Sequence, residues 1–145
     1  MEKQQRSVMM AISRTRRAWA DHMKEIALEL GIPDSYRTII LYLHRNAGAN
    51  QKNIADFANI TTAAVNQSVK EMLAKGYLRK EIDKADRRYT KLYLTQKGEE
   101  TALKLREKLH KSDEVITETI TQEKEAEMIA LLDKIYECIR GDLPC

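Results

Sequence analysis

Only one stretch of this chain has the period of a β-strand, and helical spacing surrounds it on both sides. From Tyr77 to Ile82 the order "YLRKEI" sets Leu78 and Ile82 on one face. From Lys91 to Leu94 the order sets Lys91 and Tyr93 outward and Leu92 and Leu94 inward. Alternation of this kind marks half-buried strands. Between them Asp83, Lys84, Asp86, Arg87 and Arg88 fall within six residues, where a hairpin would normally turn on Gly or Asn. A single hairpin among helices confines the 145-residue chain to a mainly α fold with a small β element.

The helices follow from spacing and stop signals. Residues 5–30 predict one long helix, with Val8, Ile12, Trp19, Met23, Ile26 and Leu30 three, four or seven positions apart. At ~1.5 Å per residue it would span roughly 40 Å. Gly31 stops it, and Pro33 opens the next helix, whose stripe is Tyr36, Ile39, Ile40 and Leu43. Asn50 can cap a short helix that carries Ile54, Ala55 and Ala58. A tight break at Asn59–Thr61 follows, and Thr61 or Thr62 caps a second helix that ends at Lys75, with Gly76 as its stop. Two short helices joined by a three-residue turn make a helix-turn-helix.

The second of those helices clusters Val65, Val69, Met72 and Leu73 on one side and projects Ala63, Asn66, Gln67 and Lys70 from the rest. Amides can bond bidentately to adenine, a lysine reaches guanine or phosphate, and a small residue permits close approach. Polar helix faces of this kind also occur in proteins that never meet DNA. The charged hairpin that follows at once is what favours the DNA reading, because the two together make a winged helix. The recognition helix enters the major groove. The hairpin tip reaches sideways, where its arginines neutralise phosphates or enter a narrow minor groove. Glycine would turn more easily but carries no charge. Asp86 would repel phosphate, so it is expected to hold the loop, by accepting backbone N–H bonds or by pairing with a nearby arginine.

Charge supports this in its distribution rather than its total of +3. Residues 61–91 carry eight basic against four acidic side chains, a net of +4, and residues 98–134 carry six against ten, a net of −4. The middle of the chain suits a polyanion and the later part does not. With 32% charged and 43% hydrophobic residues, the composition is that of an ordinary globule. His22, His44 and His110 are isolated in sequence, and there is no phosphate-binding glycine loop and no paired carboxylate site. Cys138 and Cys145 have no metal spacing. No catalytic residue, metal or cofactor is therefore expected. The opening residues have no long apolar run, so no signal peptide or membrane span is expected, and a reduced cytoplasmic setting is the simplest one.

From Gly31 to Gly98 the chain resembles the MarR family of bacterial transcription regulators. The stretches that carry the resemblance are "NIADFANIT" as helix and turn, "VKEMLAKGYLRK" as recognition helix into strand, and "DKADRRYTKLYLTQKG" as wing. Asp86 and Arg88 fit the family's Asp-x-Arg, and Leu94, Thr95 and Gly98 fit its Leu-Thr-x-x-Gly. Asn66-Gln67 stands where family members often have Ser or Thr followed by Arg. The resemblance implies one domain over 1–145, with a winged helix-turn-helix at 34–95 and a dimerisation region at 5–30 and 96–140. It implies a homodimeric regulator of double-stranded DNA, a repressor that binds an inverted-repeat operator. The DNA-binding candidates are Thr61, Thr62, Ala63, Asn66, Gln67 and Lys70 on the helix, and Arg87, Arg88 and Lys91 on the wing.

The flanking helices point to a second surface independently. Residues 96–118 carry Ala102, Leu105, Leu109 and Ile116, and residues 122–140 carry Met128, Leu132, Ile135 and Ile139, with Thr121 as the expected cap between them. Such stripes exceed what one winged helix can bury, and another copy of the chain is the simplest cover. Family members often release DNA when a small aromatic or anionic effector enters a cleft beside the dimer helices. Trp19, Met23, Tyr36, Arg37 and Ile40 are the candidates to line it here, with Arg37 as partner for a carboxylate; plain core and surface is the competing reading. Oxidant-sensing members use a cysteine near the N-terminus, which this chain lacks, so Cys138 and Cys145 read as bystanders. The alternative function is a winged-helix module that binds protein and not DNA, from which salt-dependent duplex binding would separate it.

Overall fold

The computed structural model describes residues 7–141. Their elements are α1 (Val8–Glu29), α2 (Asp34–Arg45), α3 (Gln51–Ala58), α4 (Thr62–Ala74), β1 (Leu78–Ile82), β2 (Thr90–Leu94), α5 (Gln96–Ile120) and α6 (Gln122–Arg140). The mainly α class with one hairpin is as the sequence predicts. Contacts divide the chain into two compact units, one ending at Arg106 and the other starting at Glu107, so the boundary falls within α5.

In the first unit each helix begins on a side-chain or backbone cap. The Ser7 hydroxyl accepts the Met10 N–H at 3.1 Å to start α1; residues 5 and 6 of the expected helix lie outside the described residues. Only the later part of the α1 stripe is buried, at Met23, Ile26 and Ala27. Helix α2 buries Tyr36, Ile39, Ile40 and Leu43. Asn50 caps α3 reciprocally: its side chain accepts the Asn53 N–H at 2.9 Å, and the Asn53 side chain accepts the Asn50 N–H at 3.0 Å. Asn59 turns the chain in the left-handed region (φ 52°), which asparagine tolerates better than most residues. Thr61, rather than Thr62, then caps α4 by accepting the Ala64 N–H at 3.2 Å.

The hairpin pairs Leu78 with Leu94, Lys80 with Leu92 and Ile82 with Thr90. On its other side, β2 is tied to the segment between α2 and α3: Gly48 N–H donates to the Leu92 carbonyl at 2.9 Å, and Leu92 N–H donates to the Ala49 carbonyl at 3.0 Å. Leu78, Leu92 and Leu94 are buried, but Ile82 is 65% exposed and corrects the expectation that it shares Leu78's inward role. Helices cover only the root of the hairpin. Ile82, at the outer end beside the loop, has the right parity but stays largely in water.

The "LTQKG" stretch locks strand to helix. Thr95 N–H donates to the Tyr77 carbonyl at 3.0 Å, its hydroxyl donates to the Gly76 carbonyl at 2.5 Å, and the same oxygen accepts the Gly98 N–H at 3.2 Å. A Cβ on Gly98 would lie 2.3 Å from the Tyr77 carbonyl oxygen, so a side chain is excluded there by contact. His44 is isolated only in sequence: its Nδ1 lies 2.7 Å from Glu99 Oε2, and its Nε2 lies 3.2 Å from Arg106 Nη1, which joins α2 to the first half of α5.

In the second unit, α6 buries none of its residues, and Met128, Ile129, Leu131, Leu132, Tyr136 and Ile139 are all exposed. Thr121 separates α5 from α6 by its backbone (φ 68°) and makes no side-chain cap, contrary to expectation. Its hydroxyl is not what starts α6; its carbonyl is, accepting the Glu125 N–H at 3.0 Å. Cys145 lies outside the described residues. No helix among the described residues is long and apolar enough to cross a membrane.

Candidate nucleic-acid interface

Helix α4 offers its outward side because Val65, Val69 and Met72 are buried and fix its rotation. Thr61, Thr62, Ala63, Gln67 and Lys70 are exposed, and Asn66 is half-buried. Glu71, absent from the candidates legible in the sequence, is exposed on this helix and uses both carboxylate oxygens. Oε1 accepts from Gln67 Nε2 at 2.9 Å, and Oε2 accepts from the Tyr36 hydroxyl at 3.1 Å. These bonds, Gln67's first and Tyr36's second, hold the Glu71 carboxyl below its ordinary pKa. Tyr36 is pushed up, chiefly by burial. The spacing of four between Gln67 and Glu71 was a signal that could have been read. Tyr36, 35 residues from Glu71, was not readable as its partner.

The wing loop runs from Asp83 to Tyr89 and is closed by an Asp83 N–H bond to the Tyr89 carbonyl at 2.9 Å. Two aspartates order it. Asp83 Oδ1 accepts the Ala85 N–H at 2.8 Å, and Asp83 Oδ2 lies 3.6 Å from Lys91 Nζ. Asp86 Oδ1 accepts both the Arg88 N–H at 3.1 Å and Arg88 Nε–H at 3.0 Å, while Oδ2 accepts Arg88 Nη2–H at 2.9 Å. Both modes of loop-holding foreseen for Asp86 therefore occur together. The Arg88 fork is the first cause of Asp86's lowered pKa. The Arg88 side chain is nevertheless 85% exposed, and its Nη1 is not used in the fork. Arg87 and Lys84 have no ion-pair partner among the described residues. At the hairpin root, the Arg79 guanidinium lies over the Tyr93 ring, 4.4 Å from its centroid, and pairs with Glu81.

The five effector candidates occupy different settings. Met23, Tyr36 and Ile40 are core residues. Trp19 is half-buried against His22, with ring centroids 5.6 Å apart. Arg37 Nε donates to Asp34 Oδ1 at 2.7 Å. A concavity along α1 is lined by Met9, Met10, Arg14, Thr15, Arg17 and Ala18 among others, and none of the five is among its described lining. No group of three metal-ligating side chains occurs among the described residues.

Residues 30–88 match the family model described as MarR family. The chain is 25% identical over 96 residues to the HTH-type transcriptional regulator BilQ of Clostridium symbiosum, a match that covers 66% of this chain and 67% of that protein. The fold is similar to that of a MarR transcriptional regulator from Methanosarcina mazei Go1, with a TM-score of 0.78 at 20% identity over 94% of this chain and 98% of the other. It is also similar to the transcriptional repressor CouR bound to a 23-mer DNA duplex, with a TM-score of 0.79 at 19% identity, over 94% and 96% of the two chains.

Proposed function

We infer that this chain, whose residues 30–88 match the MarR family model, is a regulator of transcription that binds double-stranded DNA through α4 and the wing. One observation carries this reading. A helix whose outward side is fixed by its core residues is followed at once by a loop that two aspartates order while Arg87 and Arg88 stay exposed. Asn66 and Gln67 would meet base edges. Lys70, Arg87, Arg88 and Lys91 would meet phosphate or a narrow minor groove, and Thr61, Thr62 and Ala63 would line the approach. The exposed apolar residues of α6 support a homodimer, and two-fold symmetry would place two copies of α4 about 34–36 Å apart on an inverted repeat. Repression follows if that repeat overlaps a promoter. An aromatic or anionic effector would act by drawing Arg37 from Asp34 or by opening the core at Met23, Tyr36 and Ile40.

The experiment is selection of bound duplexes from a random pool, followed by titration of the selected site at several salt concentrations. The expected result is an inverted repeat whose log affinity falls linearly with log salt. Light scattering is expected to give twice the 16.8 kDa chain mass. A folded protein with no salt-dependent duplex binding would instead be a protein-interaction module.

A further inference from the structure

A carboxylate is costly on a helix that enters the groove of a polyanion. Glu71 is nevertheless on α4, and both its oxygens are engaged, by Gln67 on one side and Tyr36 on the other. Tyr36 is a core residue, 1% exposed, with its ring edge-on to Tyr77 at 5.8 Å and the Lys75 ammonium 5.4 Å from its centroid. A run of hydrogen bonds therefore leads from the core, through Glu71, to an exposed amide.

An ionised carboxylate only accepts hydrogen bonds, so it settles which end of the Gln67 amide faces it: the NH2 end. The carbonyl oxygen and the second N–H of Gln67 have no partner among the described residues. Adenine presents N7 as acceptor and N6–H2 as donor in the major groove, which is the complement of the pair that Gln67 keeps. We propose that Glu71 is a positioning residue for DNA recognition, locking the Gln67 amide in the orientation that reads adenine, with Tyr36 anchoring Glu71 to the core. The inference rests on the reading of α4 as the helix that enters the major groove. Gln67 and Tyr36 hold the Glu71 carboxyl below its ordinary pKa, so it remains an acceptor through the neutral range. Part of the ordering cost of binding is then met before DNA arrives.

The test compares wild type, Gln67→Ala, Glu71→Gln and the double variant on the selected duplex and on its single-base variants. Gln67→Ala is expected to lose about 5- to 150-fold discrimination at one base pair. Glu71→Gln should lose roughly 2- to 12-fold at that same pair. Its affinity for unrelated duplexes should rise, since a negative charge is gone. The double variant should discriminate no worse than Gln67→Ala alone. Without DNA, NMR order parameters should find the Gln67 amide rigid in wild type and mobile in Glu71→Gln. If Glu71→Gln tightens binding to every duplex alike and keeps discrimination at that pair, the proposal is overturned while DNA binding stands. An equally mobile amide in both proteins overturns it as well. A wild type with no sequence preference would sink the underlying reading instead.

Discussion

Helix α4 and the wing are the two parts proposed to meet DNA, and they reach order by opposite routes. The direction of α4's side chains is set from inside, by Val65, Val69 and Met72 in the core and by Glu71's bond to Tyr36 on another helix. The wing tip is ordered by bonds within the hairpin itself: Asp83 with Ala85 and Lys91, Asp86 with Arg88. Changes beneath α4 should therefore cost stability. Changes at the tip should alter binding and leave the fold intact.

Met72→Ala should break the α4 side of this contrast most strongly. Met72 is fully buried, and its truncation should cost about 2–5 kcal/mol in urea denaturation. A cost well under 1 kcal/mol would mean that α4 is not oriented from the core. Gly98→Ala comes next, at about 1–3 kcal/mol, because its Cβ would press on the Tyr77 carbonyl and disturb the hairpin root. The tip should behave otherwise. Arg88→Ala should change stability by less than about 0.5 kcal/mol, yet lower affinity and flatten the log-salt slope by about one. Asp86→Ala should also weaken binding, although it removes a negative charge, because the Arg88 fork is lost. Acid gives the same contrast without mutation. Asp86's pKa is lowered in the fold, so the stability it contributes is present above the ordinary carboxylate value and is lost as pH falls through the lowered one. Amide exchange at Arg88 should rise in that window, because its N–H loses the Asp86 acceptor. Smallest of all, Ile82→Ala should stay within about 0.5 kcal/mol, since its side chain is already in water.

The same contrast explains what could be read in the sequence. Caps, stops and the α4 stripe are local, and Asn50, Thr61, Gly76, Val65 and Val69 announced them. The Asp86 arrangement was legible because its partner lies two residues away. Ile82 misled because alternation gives parity, and parity says nothing of whether a helix lies beneath. Glu71's partner and the contact that excludes a side chain at Gly98 depend on segments brought together only by folding. Thr121 followed cap preferences, whereas its backbone took a conformation uncommon for a β-branched residue.

The bonds from Gly48 and Ala49 to Leu92 have a consequence for self-association. They occupy the outer side of β2, so the sheet's remaining edge is β1, a potential template for pairing with another chain. That edge is five residues long and carries Arg79, Lys80 and Glu81. A short strand bearing such charge is a poor template for a growing stack. The chain can thus display an exposed hairpin at high concentration without inviting β-sheet aggregation, because Arg79, Lys80 and Glu81 guard its open edge.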